Sequence, residues 1–140
     1  MFQDLFQVAI ESCTRQDIAV TVLASVIGIN VAENRFLVDA GALALSKDRS
    51  TQATDEDAGY GEVWDLFGQS SMGDCRIERA WQEHGLAVGV DPALMPRLEV
   101  GSKVRVAPNH ACITAAAHDR YYVVDGGLEV VAEWDRVNGW

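Results

Sequence analysis

A histidine and a cysteine one residue apart, His110 and Cys112, follow a valine-rich run that stops at Pro108 in "VRVAPNHACIT". Both side chains are good zinc ligands, the cysteine as thiolate and the histidine as neutral imidazole. Residues i and i+2 of an extended chain point to one face, whereas on a helix they lie far apart around the axis. Pro108 favours extended geometry at Ala107, so the spacing predicts that "PNHAC" aims both donors at one point from a strand end. As a bare pattern, His-x-Cys is more often a buried cysteine beside a hydrogen-bonded histidine. Two donors also make an incomplete site. A structural zinc takes four protein ligands, and a two-donor site leaves positions open for water or substrate.

Other residue pairs read as structure. Glu83 and His84 in "WQEHGL" could act as an acid–base pair, but their place before a glycine reads better as a polar strand end and turn. Asp39 closes a run at a glycine and reads as a turn acid. His118 and Asp119 read as loop residues ahead of the last hairpin. The sequence has no Walker loop, no Gly-x-Gly-x-x-Gly and no Gly-x-Ser-x-Gly. Its two lysines, Lys47 in a polar run and Lys103 on the outer side of an alternating strand, are not placed as buried Schiff-base lysines.

The elements that would position these residues are mostly strands. "IAVTVLASVIGI" is rich in β-branched residues and reads as a strand buried on both faces. "RFLVDAG" is expected to pair with it across the loop at Asn30 to Asn34. "YGEVWDLF", "CRIERAW" and "GLAVGV" are further short strands. "GSKVRVAP" alternates, with Val104 and Val106 inward and Lys103 and Arg105 outward. "RYYVVDGGLEVVAEW" is a hairpin around Asp125-Gly126-Gly127. "FQDLFQVAI" has helical spacing. The polar run from Ser46 to Gly59 has no periodicity and is expected to be a mobile surface loop. The expected fold class is mainly β, a small barrel or rolled sheet of short strands with one or two short helices.

At 140 residues the chain is long enough for one domain with a core, and 49% hydrophobic residues argue against disorder. A net charge of -10 argues against nucleic acid or an anionic membrane as partner. No basic n-region precedes an apolar stretch, and the longest apolar run is too short to span a membrane. Three widely spaced cysteines suggest free thiols in a reducing, cytoplasmic setting.

Read in order, "FQDLFQ", "DIAVTVLASVIG", "FLVDAGALALSKDRST", "GYGEV", "QEHG", "VGSKVRVAPNHACIT" and "EWDRVNGW" resemble the C-terminal β domain of the D-threonine aldolase and D-serine dehydratase-like enzymes. These are pyridoxal-phosphate enzymes of the alanine-racemase fold type. The resemblance covers nearly the whole chain. It implies that His110 and Cys112 bind zinc or another divalent metal, which orients a D-3-hydroxy amino acid beside the cofactor. The cysteine in second position resembles the zinc-dependent dehydratase branch more than the aldolase branch, which carries aspartate there. Family members also have an N-terminal (β/α)8 barrel of about 250 residues that holds the Schiff-base lysine. The chain begins where that barrel would end. The resemblance therefore implies a domain that partners a barrel of the same or another chain, or pairs with itself as a homodimer, and that is inactive alone. The alternative is a free-standing, non-catalytic β module that binds metal or a protein partner. A reading frame encoding the barrel upstream would separate the two.

Overall fold

The computed structural model describes residues 2–68 and 71–137. The last three residues of the closing "EWDRVNGW" lie outside the described residues. Six strands, β1 (Val22–Asn30), β2 (Arg35–Val38), β3 (Glu62–Trp64), β4 (Ser71–Ala80), β5 (Gly85–Val90) and β6 (Lys103–Ala107), form a closed barrel in the order β1-β2-β5-β4-β3-β6. Every pairing is antiparallel. Two strands, β7 (Arg120–Val124) and β8 (Val130–Asp135), form a separate hairpin. Three short α-helices, α1 (Leu5–Ala9), α2 (Ala42–Leu45) and α3 (Ala111–Ala116), and 3-10 turns at Arg15–Asp17, Ser50–Ala53 and Met95–Arg97 join them. No helix among the described residues is long and apolar enough to cross a membrane. The mainly β barrel expected from the sequence is the fold observed.

The period-2 pattern of the strands builds the core. Val22, Ala24 and Val26 of β1, Phe36 and Val38 of β2, Cys75 and Ile77 of β4, Ala87 and Val90 of β5, and Val104 and Val106 of β6 all point into the barrel. Register follows from this pattern: Val22 faces Val106 and Ala24 faces Val104 across the β1–β6 ladder, while β2 joins β1 through the Asn30–Asn34 turn as expected. Val104 and Val106 are buried while Lys103 is exposed and Arg105 half-buried, as the alternation required.

Two expectations need correction. The first strand is not buried on both faces. Leu23 and Ile27 are 62% and 46% exposed, because a closed barrel has a single interior and the outer side of β1 faces away from it. The β-branched run carried no information about what lies outside. The Ser46–Gly59 segment is not a loose loop either. It contains a 3-10 turn at Ser50–Ala53, and Thr51 is 1% exposed. Asn109, itself 0% exposed, accepts a hydrogen bond from the Thr51 backbone N–H and donates to the Thr51 hydroxyl and to the Gly59 carbonyl.

Candidate metal centre at the start of the third helix

The chain leaves β6 at Ala107, and Pro108 and Asn109 are buried beneath the N-terminal segment. Leu5 and Phe6 donate their backbone N–H groups to the carbonyls of Pro108 and Asn109. His110 is extended (φ -139°, ψ 105°) and serves as the N-cap of α3. The helix begins immediately after it, so Cys112 lies in the first helical turn. The expectation that extended geometry carries both donors therefore fails at Ala111. The cause is remote in sequence: the Asp4 carboxylate accepts the Ala111 N–H at 2.9 Å, satisfying one of the donors that a helix start leaves unpaired. The same carboxylate caps α1 through Gln7. Asp4 thus serves two helix starts and fixes the turn that holds the pair.

His110 is half-buried and Cys112 exposed. The Nδ1 atom of His110 lies 2.5 Å from Oδ2 of Asp48. Asp48 also accepts a bond from the Ser50 hydroxyl at 2.7 Å. Burial raises the Asp48 carboxyl, but the hydrogen bonds from Ser50 and His110 and the nearby imidazole charge outweigh it. The acid is held below its usual value. With Nδ1 committed to a carboxylate, Nε2 remains as the donor nitrogen for a metal, the arrangement found when a carboxylate supports a metal-binding histidine. Among the described residues no group of three or more His, Cys, Asp and Glu side chains converges on one point. By type, the His110 imidazole and the Cys112 thiol suit a soft or borderline divalent ion such as zinc.

The other candidates are structural. Glu83 and His84 lie in the β4–β5 turn, where His84 stacks on Trp81 with ring centroids 4.8 Å apart and Glu83 accepts a bond from Gln82. Asp39 and Ser25 join β1 and β2 through two bonds, backbone to backbone and Ser25 N–H to the Asp39 carboxylate. His118 follows α3 and is bonded to the Ala44 carbonyl. Lys103 donates to the Ser25 hydroxyl and Lys47 lies over the Tyr60 ring. The residues that the sequence did not single out are Asp4, Asp48 and Asn109. Each also makes a contact across 50 or more positions, which leaves no local pattern; the local signals were Asn109 directly before His110 and Asp4 at the start of a helical run.

Comparison with known proteins assigns the chain. It is 38% identical over 146 aligned residues to the D-threo-3-hydroxyaspartate dehydratase of Delftia sp., covering 100% of this chain and 37% of that protein. It is 29% identical to the D-serine dehydratase of Dictyostelium discoideum, covering 99% of this chain and 35% of that protein. The chain thus spans about a third of the length of these curated relatives, and corresponds to their C-terminal part. A shorter relative, an uncharacterized protein of Mycobacterium tuberculosis, is 33% identical over 127 residues, covering 89% of this chain and 86% of that protein. The solved structure of the Delftia dehydratase superposes with a TM-score of 0.85 at 39% identity, covering 99% of this chain and 37% of that one. That enzyme has also been solved with one histidine replaced by alanine and, with one residue between, with a cysteine replaced by alanine, the latter in a metal-free form. Likeness to a D-threonine aldolase from Filomicrobium marinum is lower: TM-score 0.58 and 26% identity, over 82% of this chain and 27% of that one. The family described as the putative serine dehydratase domain matches residues 19–124, and the chain belongs to it.

Proposed function

We propose that this chain is the metal-binding, substrate-orienting domain of a pyridoxal-phosphate-dependent lyase that dehydrates D-3-hydroxy amino acids, working with a barrel that holds the cofactor. The observation that carries the reading is the Asp48-supported His110 one residue from an exposed Cys112, at the start of α3. The His-x-Cys spacing matches that of the two positions altered in the Delftia enzyme. Dehydration is preferred over retro-aldol cleavage because the dehydratases resemble the chain more than the aldolase does.

In this reading His110 offers Nε2 and Cys112 its thiolate. A divalent metal held by these two residues would supply Lewis-acid chemistry toward the β-hydroxyl of the substrate. Pyridoxal phosphate, held by the barrel and not by this chain, would supply an electron sink. The contribution of this chain is orientation. His110 and Cys112 would hold the metal, and two protein donors are fewer than the four of a closed structural site.

Calorimetric titration of the purified chain with zinc chloride tests the metal site. Binding is expected, with loss in His110→Ala and in Cys112→Ala while thermal unfolding stays cooperative. Equal affinity in both variants and the unaltered chain would sink the reading. Activity is tested in a chimera in which this chain replaces the C-terminal part of the Delftia dehydratase. Ammonia release from D-threo-3-hydroxyaspartate is expected, and its loss in the His110→Ala chimera.

One observation favours a second reading, a free-standing module that binds metal or a protein partner: the Mycobacterium tuberculosis relative, of which 86% aligns with this chain, is similarly short. A chain of this length that binds zinc, joined to a chimera without activity, would support it.

A further inference from the structure

We propose that Asp48 is a positioning residue for the metal site, holding His110 in the tautomer with its proton on Nδ1 and its Nε2 lone pair free. The inference rests on the reading of His110 as a ligand, but the tautomer itself can be measured without metal. The Asp48 carboxylate is fully engaged: Oδ2 meets His110 Nδ1 at 2.5 Å and Oδ1 accepts from Ser50 at 2.7 Å. The Asp48 N–H donates to the Ser46 hydroxyl at 3.2 Å. Asp48 and His110 are 62 positions apart, and three ties bring their segments together. Asn109, the residue before His110, bonds Thr51, three residues beyond Asp48. Asn109 also bonds Gly59 at the far end of the same segment. Thr114 of α3 donates to the carbonyl of Leu45, three residues before Asp48.

The backbone ahead of Asp48 is strained to make this approach. Ser46 takes φ 71° and ψ 176° at the end of α2, a conformation almost confined to glycine. The strained turn and the buried clamp together deliver a carboxylate to one ring nitrogen of one histidine. A carboxylate accepting from Nδ1 fixes which nitrogen is protonated and hence which can ligate. Among the described residues the Asp48 carboxylate is the partner seen on the His110 ring, and the His110 side chain makes no cap bond to α3.

The test combines imidazole nitrogen NMR on the metal-free 140-residue chain, at about pH 8 so that unperturbed imidazole is neutral, with zinc chloride titration. The unaltered chain is expected to show His110 with its proton on Nδ1, and Asp48→Ala to move it to Nε2. Zinc affinity in Asp48→Ala should fall roughly 10- to 100-fold, the usual cost of losing such a support. Asp48→Asn, whose amide oxygen can still accept, should restore the Nδ1 proton and part of the affinity. A merely structural Asp48 would leave the tautomer unmoved. Finding the proton on Nε2 in the unaltered chain, or an unchanged tautomer in Asp48→Ala, overturns the proposal. If the unaltered chain binds no zinc, the metal reading falls and the tautomer still decides the role of Asp48. If Asp48→Ala does not fold, the tautomer of the unaltered chain decides alone.

Discussion

Asn109 and Thr51, 58 positions apart, exchange two hydrogen bonds in the interior: Thr51 N–H to Asn109 Oδ1 at 3.1 Å and Asn109 Nδ2 to the Thr51 hydroxyl at 2.9 Å. A third bond runs from Asn109 to the Gly59 carbonyl at 2.7 Å. Replacing Asn109 with alanine strands these buried groups without partners. A loss of about 2–4 kcal/mol is expected, read as a lower urea midpoint with an unchanged slope. An Asn109→Ala chain as stable as the unaltered one would show that the clamp contributes little.

Gly59 and Gly61 in "GYGEV" are required by space as well as by backbone. Gly59 has φ +61°, and a side chain there would sit 2.3 Å from the Ile77 carbonyl oxygen. Gly61 has φ +139°, and a side chain there would meet Val106 at 2.6 Å and the Ala107 carbonyl at 2.7 Å. Gly59→Ala and Gly61→Ala are each expected to destabilise by about 3 kcal/mol or more. Soluble expression and thermal unfolding of both variants check this.

The three thiols should separate by reactivity. Cys112 is exposed and should react first with a neutral alkylating reagent at about pH 7.5. Cys13 is half-buried, and burial followed by the charges of Asp17 and Asp4 pushes its thiol up, so it should react more slowly. Cys75 is buried in the barrel, and that burial pushes it up to about 12, against the lowering effect of Arg76. It should stay silent until the chain unfolds. Added zinc should protect Cys112 alone; protection absent, or spread over all three thiols, would count against the metal centre. Mass spectrometry of the labelled peptides reads all of these outcomes.

Asp17 gives a pH dependence with a definite sign. Its carboxylate accepts from the backbone N–H and the hydroxyl of Thr14, and these bonds hold it below the usual aspartate range. A carboxyl depressed in the folded state stabilises above its unfolded value, and that contribution is lost as pH falls through the folded one. The stability gap between the unaltered chain and Asp17→Ala should therefore be constant from neutral pH down to about 4 and narrow below it. Urea midpoints across that range measure it. A gap that widens in acid would contradict the bonding seen at Thr14.

Much of the fold was legible because its strands obey a local rule. Val104 and Val106 alternate with charged neighbours, and Asp125-Gly126-Gly127 marks the turn of the β7–β8 hairpin. The site was legible as composition and not as geometry. His110 and Cys112 stood out by type, but the helix beginning at Ala111 depends on a carboxylate 107 positions away. Asp48 was hidden in a polar run without periodicity, since its order comes from a buried asparagine that hydropathy ranks as a surface residue. The outer face of β1 misled for a related reason. Leu23 and Ile27 satisfy β propensity equally well whether something covers them or not.

Closure of the six-stranded barrel also decides where strand addition can occur. Each barrel strand has a paired neighbour on both sides, so none presents a whole open edge to another chain. The hairpin is different: β7 and β8 pair only with each other among the described residues, and each keeps one open edge. Tyr122, Val131 and Trp134 are 63%, 60% and 55% exposed along it. Intermolecular sheet growth, ordered or aberrant, is therefore favoured along this arm and not at the candidate site of His110 and Cys112, with the Arg120–Glu133 ion pair and Asp135 as the charges that oppose it.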